Sequence, residues 1–298
     1  DVFVIDEAGM VGTVQLARLI KHVHEQKAKL VLVGDPDQLQ PIQAGTPFKD
    51  IASQSGSAEL SEIRRQKTKW QKTASLDLAR GNIDQAMQAY QDHGMVEQAQ
   101  SEHEAITALV EDYMIDRELH GDKKSRLALA HSRQDVFAIN KAIRAARKSA
   151  HELTDEHIFE MDHGKRNFAV GDRIIFTRNE YDLNVRNGML GTVQKIDGKH
   201  MTVELDHNDD SKKSKLVTFN TANYSSFDHG YATTIHKSQG ATIDHAFVLK
   251  SKTMDKHLNY VAMTRHKEAM RVYSQSRNMK NRTSKVQPKY DQDYELEL

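Results

Sequence analysis

Short apolar runs that alternate with amphipathic segments dominate the start of the chain. Val2 to Ile5 and Leu30 to Val33 are continuous apolar runs, which are typical of strands buried on both faces of a parallel sheet. Between them, residues 16–23 carry apolar side chains at helical spacing, and this predicts an amphipathic helix that Thr13 can cap. A strand, a helix and a second strand in this order predict one βαβ unit with a right-handed crossover.

The middle of the chain continues this pattern. Helical spacing predicts helices over residues 70–92 and 103–119, and the apolar run Leu127 to Ala130 predicts a strand. The next helix places apolar residues inward and turns the basic residues between 141 and 148 outward, as an ordinary solvated face. Residues 45–57 are rich in loop formers. Together these segments predict a second α/β unit.

From about Phe168 the apolar pattern changes to a period of two. Turn signals such as Asn187-Gly188 separate four short runs of this kind. Short strands at this spacing predict a small antiparallel barrel inserted into the α/β domain. The four runs lie near residues 172–177, 190–196, 201–205 and 215–219. Beyond the barrel, the α/β pattern returns up to about residue 274.

Composition narrows the possible functions. The chain has 298 residues with 42 Lys plus Arg and 42 Asp plus Glu, so any contact with nucleic acid must come from a local groove. It has no cysteine, which excludes thiolate chemistry and suits a reducing cytoplasm. No apolar run approaches the roughly 20 residues that span a membrane, so we expect a cytoplasmic protein without a membrane segment. Because Asp1 lies inside a predicted strand, we expect the sequence to be part of a longer protein.

Polar residues follow both strands of the first βαβ unit. Asp6 and Glu7 come directly after the first strand, and Gly34 to Gln38 follow the second. Because open α/β sheets bind ligands at the carboxyl ends of their strands, we expect these residues to converge on one edge. Two neighbouring carboxylates suit a magnesium nucleotide, since one can hold the ion through water while the other orients the attacking water.

Five segments with characteristic side chains occur in order along the chain. They read Asp6-Glu7-Ala8-Gly9, Gly34 to Ile42, Arg64-Arg65-Gln66, Tyr231 to Gly240 and Tyr260 to Arg265. Together they resemble motifs II, III, IV, V and VI of RecD-like superfamily 1B DNA helicases. The second segment, with Ala44 to Phe48 after it, is similar to the helicase region of conjugative relaxase-helicases of the TraA type. The resemblance covers about residues 1–274.

This resemblance implies an α/β fold with two RecA-like parallel-sheet domains, of which the first is truncated. It also implies that the inserted barrel is a small SH3-like β-barrel within the second domain. The implied boundaries are 1–57 for the C-terminal part of the first domain, 58–160 with 228–274 for the second, 161–227 for the barrel and 275–298 for a tail or linker.

The resemblance also implies catalytic roles in the hydrolysis of ATP, where charge builds up on the γ-phosphate. Asp6 would hold Mg²⁺ through water, and Glu7 would act as the base or position the attacking water. Gln38 would sense the γ-phosphate. Arg65 and Arg265 would supply guanidinium groups to phosphate, with Arg265 as an arginine finger.

Segment V is implied to link nucleotide to DNA. Lys237, Gln239 and Gly240 would lie on the loop that couples the two ligands, and Thr234 and His236 would contact single-stranded DNA. The implied cofactors are ATP and Mg²⁺. The implied partners are single-stranded DNA and other conjugation or relaxosome proteins.

The sequence departs from the family in two places. The phosphate-binding pattern Gly-x-x-x-x-Gly-Lys-Ser/Thr is absent from it, so we expect the isolated chain to bind ATP poorly and to hydrolyse it hardly at all. Ala241-Thr242 stand where the family commonly has an acidic residue that contacts the ribose, which puts that sugar contact in doubt.

Other functions stay open at this point. The chain could be a nucleic-acid-binding module without ATPase activity, or part of a RecD-type recombination and repair helicase subunit. A nuclease built from Asp6, Glu7 and Asp35 is a weaker alternative, because it leaves Gln38 and the two arginines unexplained.

Overall fold

A computed structural model describes residues 1–39, 41, 45–60, 62–162, 164–206 and 215–276. Predictions for Gln40 and Ile42 of the second segment, for Ala44 after it and for the tail beyond Ser276 lie outside the described residues. The chain divides into two compact units. Unit 1 comprises Asp1–Ala89 and Met254–Thr264, and unit 2 comprises Tyr90–Thr253 and the segment from Arg265 onward.

Helices and strands alternate along most of the described chain. The helices are α1 Thr13–Glu25, α2 Pro47–Ser55, α3 Lys69–Ala79, α4 Ile83–Asp92, α5 Glu102–His120, α6 Arg133–Ser149 and α7 Lys256–Met263. The strands are β1 Val2–Ile5, β2 Lys29–Leu32, β3 Val96–Ala99, β4 Arg126–Ala130, β5 Thr154–Met161, β6 Gly164–Val170, β7 Arg173–Phe176, β8 Leu190–Asp197, β9 His200–Leu205, β10 Lys215–Asn220, β11 Phe227–His229, β12 Ala232–Thr234, β13 Ile243–Lys250 and β14 His266–Gln275. Among these helices, none is both long and apolar enough to cross a membrane.

Unit 1 contains the predicted βαβ unit. β1 and β2 pair in parallel, with Val2 opposite Lys29 and Ile5 opposite Leu32, which confirms the predicted arrangement. The expected burial of both strands is wrong, because Val2 is 61% exposed and Val4 is 64% exposed, and no residue of β2 is buried. In the described residues β1 has one strand neighbour, so its apolar side chains find few groups to pack against.

Three local predictions for unit 1 are also wrong. Residues 45–57 contain helix α2, which has Pro47 at its first position, where a proline needs no hydrogen bond from its nitrogen. Residues 70–92 form two helices, because Gly81 adopts φ +82° between them. Thr13 does not cap α1, since Gly12 occupies the cap position and no side chain bonds there.

Unit 2 is built on a five-stranded parallel sheet in the order β12-β4-β13-β14-β3. The strand predicted from the apolar run is confirmed as β4, and all five of its residues are buried. Leu109 and Tyr113 of α5 and Ile139 and Ile143 of α6 share one apolar core with the sheet. β3 was not predicted, because its sequence Val-Glu-Gln-Ala carries no apolar run.

An antiparallel sheet is inserted in unit 2, in the order β10-β9-β8-β7-β11. β7 to β10 coincide with the four runs of period two, which confirms those strands. The hairpin β5–β6 was not predicted, and its Phe159 and Phe168 join the core of the inserted sheet. That the inserted sheet is an SH3-like barrel stays a prediction, as do the domain boundaries.

The basic face of α6 is not solvated throughout, contrary to the prediction. Arg147 is buried, and its Nη1 donates to the carbonyl oxygen of Gly171 at 2.7 Å and to the Tyr231 hydroxyl at 3.1 Å. Arg144 Nε donates to both carboxylate oxygens of the fully buried Asp172 at 3.1 Å. Lys148 remains exposed, as predicted. Helical spacing alone could not reveal that the turn between β6 and β7 supplies acceptors to this face.

Candidate functional site

The acidic loop after β1 has an uncommon backbone. Glu7 adopts φ 51° and ψ 37°, in the left-handed region, and a short 3₁₀ helix begins directly after it at Ala8. Asp6 Oδ1 accepts a hydrogen bond from the Glu7 amide at 2.8 Å, and the Ala8 amide donates to the carbonyl of Val33 at 2.9 Å. The turn therefore places two exposed carboxylates at the carboxyl end of the strand, and a hydrogen bond holds that of Asp6.

Two glycines allow this loop to pack closely against the loop after β2. A Cβ atom on Gly34 would lie 3.0 Å from the backbone nitrogens of Ala8 and Gly9, and one on Gly9 would lie 2.9 Å from the Asp35 carbonyl oxygen. Such separations leave little room for any side chain. The expected convergence of both strand ends on one edge is therefore confirmed.

The carboxylate of Asp35 organises the second loop. Oδ1 accepts from the Asp37 amide at 2.9 Å, while Oδ2 accepts from Gln38 Nε2 at 3.2 Å and from the Tyr260 hydroxyl at 2.8 Å. The other side-chain atom of Gln38, Oε1, is buried and has no hydrogen-bond partner within the described ranges. A buried acceptor without a partner lowers the stability of the fold, so Oε1 is suited to accept a hydrogen bond from a ligand.

Arg65 adjoins the acidic loop and the end of α7. Its Nη1 donates to the carbonyl of Thr264 at 2.8 Å, and buried Gln66 donates to the same oxygen at 3.2 Å. Burial lowers the pKa of Arg65 below its usual value, while the electrostatic effects of Tyr260 and Glu7 act in the opposite direction. Arg64, by contrast, pairs with Glu62 at 3.1 Å in solvent.

Two side chains of helix α7, His257 and Tyr260, contact the loop after β2, which the sequence did not reveal. His257 Nδ1 donates to the carbonyl of Asp37 at 2.8 Å, one turn before Tyr260 reaches Asp35. Asp255 caps the helix by accepting from the Leu258 amide at 2.8 Å. The spacing of His257, Tyr260 and Thr264 on one face of a helix was the available signal, but it does not show which loop that face meets.

The remaining predicted residues lie in unit 2. Thr234 ends β12, and its Oγ1 accepts from the Lys237 amide at 3.3 Å. The α/β pattern beyond the barrel also predicts that a helix begins near His236, but the structure has a single 3₁₀ turn there, His236–Ser238, on which His236 and Lys237 are exposed. The His236 ring stacks on that of His131, with centroids 6.2 Å apart.

Two further features follow this turn. Both polar atoms of the Gln239 side chain are buried without a partner in the described part of the chain, and Gly240 adopts φ +75°. Arg265 is 2% exposed, and its carbonyl accepts from the Ile243 amide at 3.1 Å. The strands of this sheet all run in the same direction. Thr234 at the end of β12 therefore lies at the carboxyl ends of the strands, and Arg265 before the start of β14 lies at their amino ends.

The structure therefore distributes the predicted residues over two groups. Asp6, Glu7, Gln38 and Arg65 belong to unit 1, where loops and α7 connect them. The second group, in unit 2, comprises Thr234, His236, Lys237, Gln239, Gly240 and Arg265.

Comparisons with known families and sequences point to helicases. The AAA domain family matches residues 1–101, and the viral superfamily 1 RNA helicase core domain matches residues 170–274. The chain is 43% identical over 277 residues to a probable conjugal transfer protein TraA of Sinorhizobium fredii, covering 93% of this chain and 25% of that protein. It is 28% identical over 293 residues to the RecBCD enzyme subunit RecD of Mycolicibacterium smegmatis, covering 91% of this chain and 50% of that protein.

Solved structures of Pif1 helicases share the fold of this chain. The Pif1 helicase of Candida albicans superposes with a TM-score of 0.64 at 18% identity, covering 91% of this chain and 72% of that one. Bacteroides Pif1 bound to ssDNA gives a TM-score of 0.58 at 19% identity, covering 93% and 71%. At this level of identity the match concerns the fold, and it shows that the parallel-sheet architecture resembles that of Pif1 helicases.

In sequence, the chain is similar to the RecD subunit of the RecBCD enzyme and to conjugal transfer proteins of the TraA type. Its identity to the TraA proteins is 41% to 43%, higher than its 28% identity to that RecD subunit. It spans about a quarter of the length of the TraA proteins that it matches.

Proposed function

We propose that this chain is part of an ATP-driven helicase that moves 5′ to 3′ along single-stranded DNA during conjugative plasmid transfer. The observation that carries the proposal is the Asp35 carboxylate, which binds both Gln38 and Tyr260 beside the acidic loop. This carboxylate links Gln38 of the second segment to Tyr260 of the last segment within unit 1. The similarity to TraA proteins supports the role in conjugation.

The residues of unit 1 suit a magnesium nucleotide. Asp6 and Glu7 are exposed carboxylates at a strand end, and oxygen ligands of this type are those that Mg²⁺ prefers. Asp6 would hold the ion through water, which would neutralise charge on the phosphates of ATP. Glu7 would position the attacking water and accept its proton. The unpaired Oε1 of Gln38 would accept a hydrogen bond from that water and so respond to the γ-phosphate beside it. Arg65 would supply positive charge to phosphate.

The residues of unit 2 divide between two roles. Arg265 would act as an arginine finger, with Lys237, Gln239 and Gly240 on the loop that couples nucleotide to DNA. Thr234 and His236 would contact single-stranded DNA, and the exposed His236 ring supports this role because aromatic rings stack on bases. Thr234 and Arg265 lie at opposite ends of the strands of one sheet, and this supports separate roles for them in binding DNA and nucleotide.

Three finer assignments belong to this proposal. The inserted antiparallel sheet is an SH3-like barrel, supported by its five short strands around one apolar core. The two RecA-like domains follow the boundaries given from the sequence. The partners other than DNA are conjugation or relaxosome proteins, in line with the TraA relatives.

Replacement of Glu7 in the full-length TraA-type protein that contains this chain tests the proposal. We expect Glu7→Gln to lower the rate of ATP hydrolysis by roughly 10²–10⁴-fold, because the water loses its general base. Binding of a non-hydrolysable ATP analogue should persist, since glutamine keeps the shape of the side chain. Steady-state ATPase assays and equilibrium titration measure the two quantities.

A matched variant controls for the loss of one carboxylate. Glu25→Gln removes an exposed acid from α1 in the same unit and should leave hydrolysis at the parental rate. Unchanged turnover in Glu7→Gln would contradict the assignment of Glu7. DNA binding without any response to ATP in the parent protein would favour the nucleic-acid-binding module instead, and unwinding with 3′ to 5′ polarity would exclude the proposed motor.

A further inference from the structure

Unit 2 contains a cluster of metal-ligating side chains that the proposed motor does not use. Asp116 and His120 lie one turn apart near the end of α5, and His245 projects from β13. Side chains four residues apart on a helix share one face, so Asp116 and His120 meet the same strand. One ligand atom from each of the three residues lies within 4.8 Å of the others.

The distances in this cluster are close to those of ligands that share an ion. Asp116 Oδ2 is 2.5 Å from His245 Nδ1 and 3.5 Å from His120 Nδ1. With bonds of about 2.0–2.2 Å, ligand atoms of a tetrahedral zinc ion lie about 3.3 Å apart. The carboxylate and the His245 ring would therefore separate by less than about 1 Å to admit an ion.

A second layer of side chains orients two of the three ligands. Arg126 Nε donates to the other carboxylate oxygen of Asp116 at 2.8 Å, which leaves Oδ2 directed at the histidines. His245 Nε2 faces Glu268 Oε2 at 3.5 Å, and Lys124 Nζ holds that carboxylate at 2.5 Å. A carboxylate behind the far nitrogen of a histidine is the usual support of a metal-binding imidazole.

Solvent can reach the cluster from one side. Asp116 and His245 are buried, whereas the His120 side chain is 31% exposed and gives solvent a path to the cluster. Arg126 and Lys124 add positive charge nearby, which weakens the attraction for a cation.

We propose that Asp116, His120 and His245 form a binding site for a late first-row transition-metal ion, of which Zn²⁺ is the natural candidate. Two imidazoles and one carboxylate are a ligand set that zinc accepts, and water completes the coordination on the exposed side of His120. The ion replaces the proton that His245 Nδ1 otherwise donates to Asp116 Oδ2 and the proton that His120 Nδ1 otherwise donates to the backbone carbonyl of Asp116 at 3.0 Å, and it links α5 to β13.

Titration of the untagged, chelator-treated 298-residue chain with ZnCl₂ tests this site. We expect one Zn²⁺ per chain by calorimetry and a rise in the midpoint of thermal unfolding, because an ion that binds the folded state stabilises it. Co²⁺ in place of Zn²⁺ should give the visible absorption of a tetrahedral site. Absence of binding would overturn the proposal and leave Asp116 and His245 as a buried hydrogen-bonded pair.

Variants locate the ion. His120→Ala removes a partly exposed ligand and should abolish the Co²⁺ absorption, while Glu268→Gln removes only the support of His245 and should weaken Zn²⁺ by about 10–100-fold. His200→Ala, which removes an exposed histidine from β9, should bind like the parent chain. Zinc that binds the His120→Ala variant with parental affinity would place the ion elsewhere and overturn the proposal. Circular dichroism of each variant confirms that it is folded.

Discussion

The two parallel sheets of the molecule contain similar apolar runs but bury them to very different extents. β1 in unit 1 and β4 in unit 2 were both predicted as strands from continuous apolar runs. Every residue of β4 is buried between β12 and β13, whereas Val2 and Val4 of β1 are more than half exposed. An apolar run therefore predicts that a strand forms, but the number of neighbours decides how much surface it buries.

Charged groups show the same contrast between the units. In unit 2, Asp172 is fully buried and accepts from Arg144, from the Tyr231 hydroxyl and from the Ala169 amide. In unit 1, the ion pair of Arg64 and Glu62 is exposed. Buried pairs are costly to break, and exposed ones contribute little.

The largest expected effect comes from the buried charge. Asp172→Asn should lower the free energy of unfolding by about 3–5 kcal/mol, because Arg144 then faces a neutral group in the interior. Arg64→Ala, at the exposed pair, should change it by less than about 1 kcal/mol. Urea unfolding followed by circular dichroism measures both. Equal losses in the two variants would break the contrast between the units.

A smaller difference is expected between the apolar strands. Leu129→Ala in β4 removes a fully buried side chain and should cost about 2–5 kcal/mol, since it leaves a cavity. Val4→Ala in β1 should cost under about 1 kcal/mol, because the side chain is mostly in water. Fluorescence of Trp70, the single tryptophan, adds a probe placed in unit 1. A cost above 2 kcal/mol for Val4→Ala would show that β1 is buried in solution.

The smallest effect concerns Glu156, which pairs with Arg144 next to the buried Asp172. Hydrogen bonds from Lys148 and Arg144 lower the pKa of Glu156 from 4.5 to about 2. Because the folded-state pKa is the lower one, this carboxylate stabilises the fold above pH 4.5 and loses that contribution as the pH falls towards 2. Thermal unfolding between these pH values should therefore show a steeper loss in the parent chain than in Glu156→Gln. Parallel pH profiles would mean that the pairs to Glu156 do not form.

The candidate site illustrates what a sequence can and cannot predict. That the residues after β1 and β2 converge follows from the rule for parallel strands, and Gly9 and Gly34 show how closely the loops meet. The sequence placed Asp35 within the second segment and gave it a specific role only as a weak nuclease candidate, yet it binds Gln38 and Tyr260. Gln38 is 3 positions from Asp35 in sequence and Tyr260 is 225 positions away, and no local pattern connects Tyr260 to Asp35.

The sequence by itself determined the strands β1, β2, β4 and β7 to β10, the alternation of helices with them, and the order of the five helicase-like segments. These features depend on hydrophobic period and on neighbouring residues, which are local properties of a chain. Tertiary structure alone decided that Arg144 and Arg147 turn inward, that α7 contacts the loop of Asp35, and that Asp116 and His120 meet His245. Each of these depends on side chains far apart in sequence, whose meeting is fixed by how the elements pack.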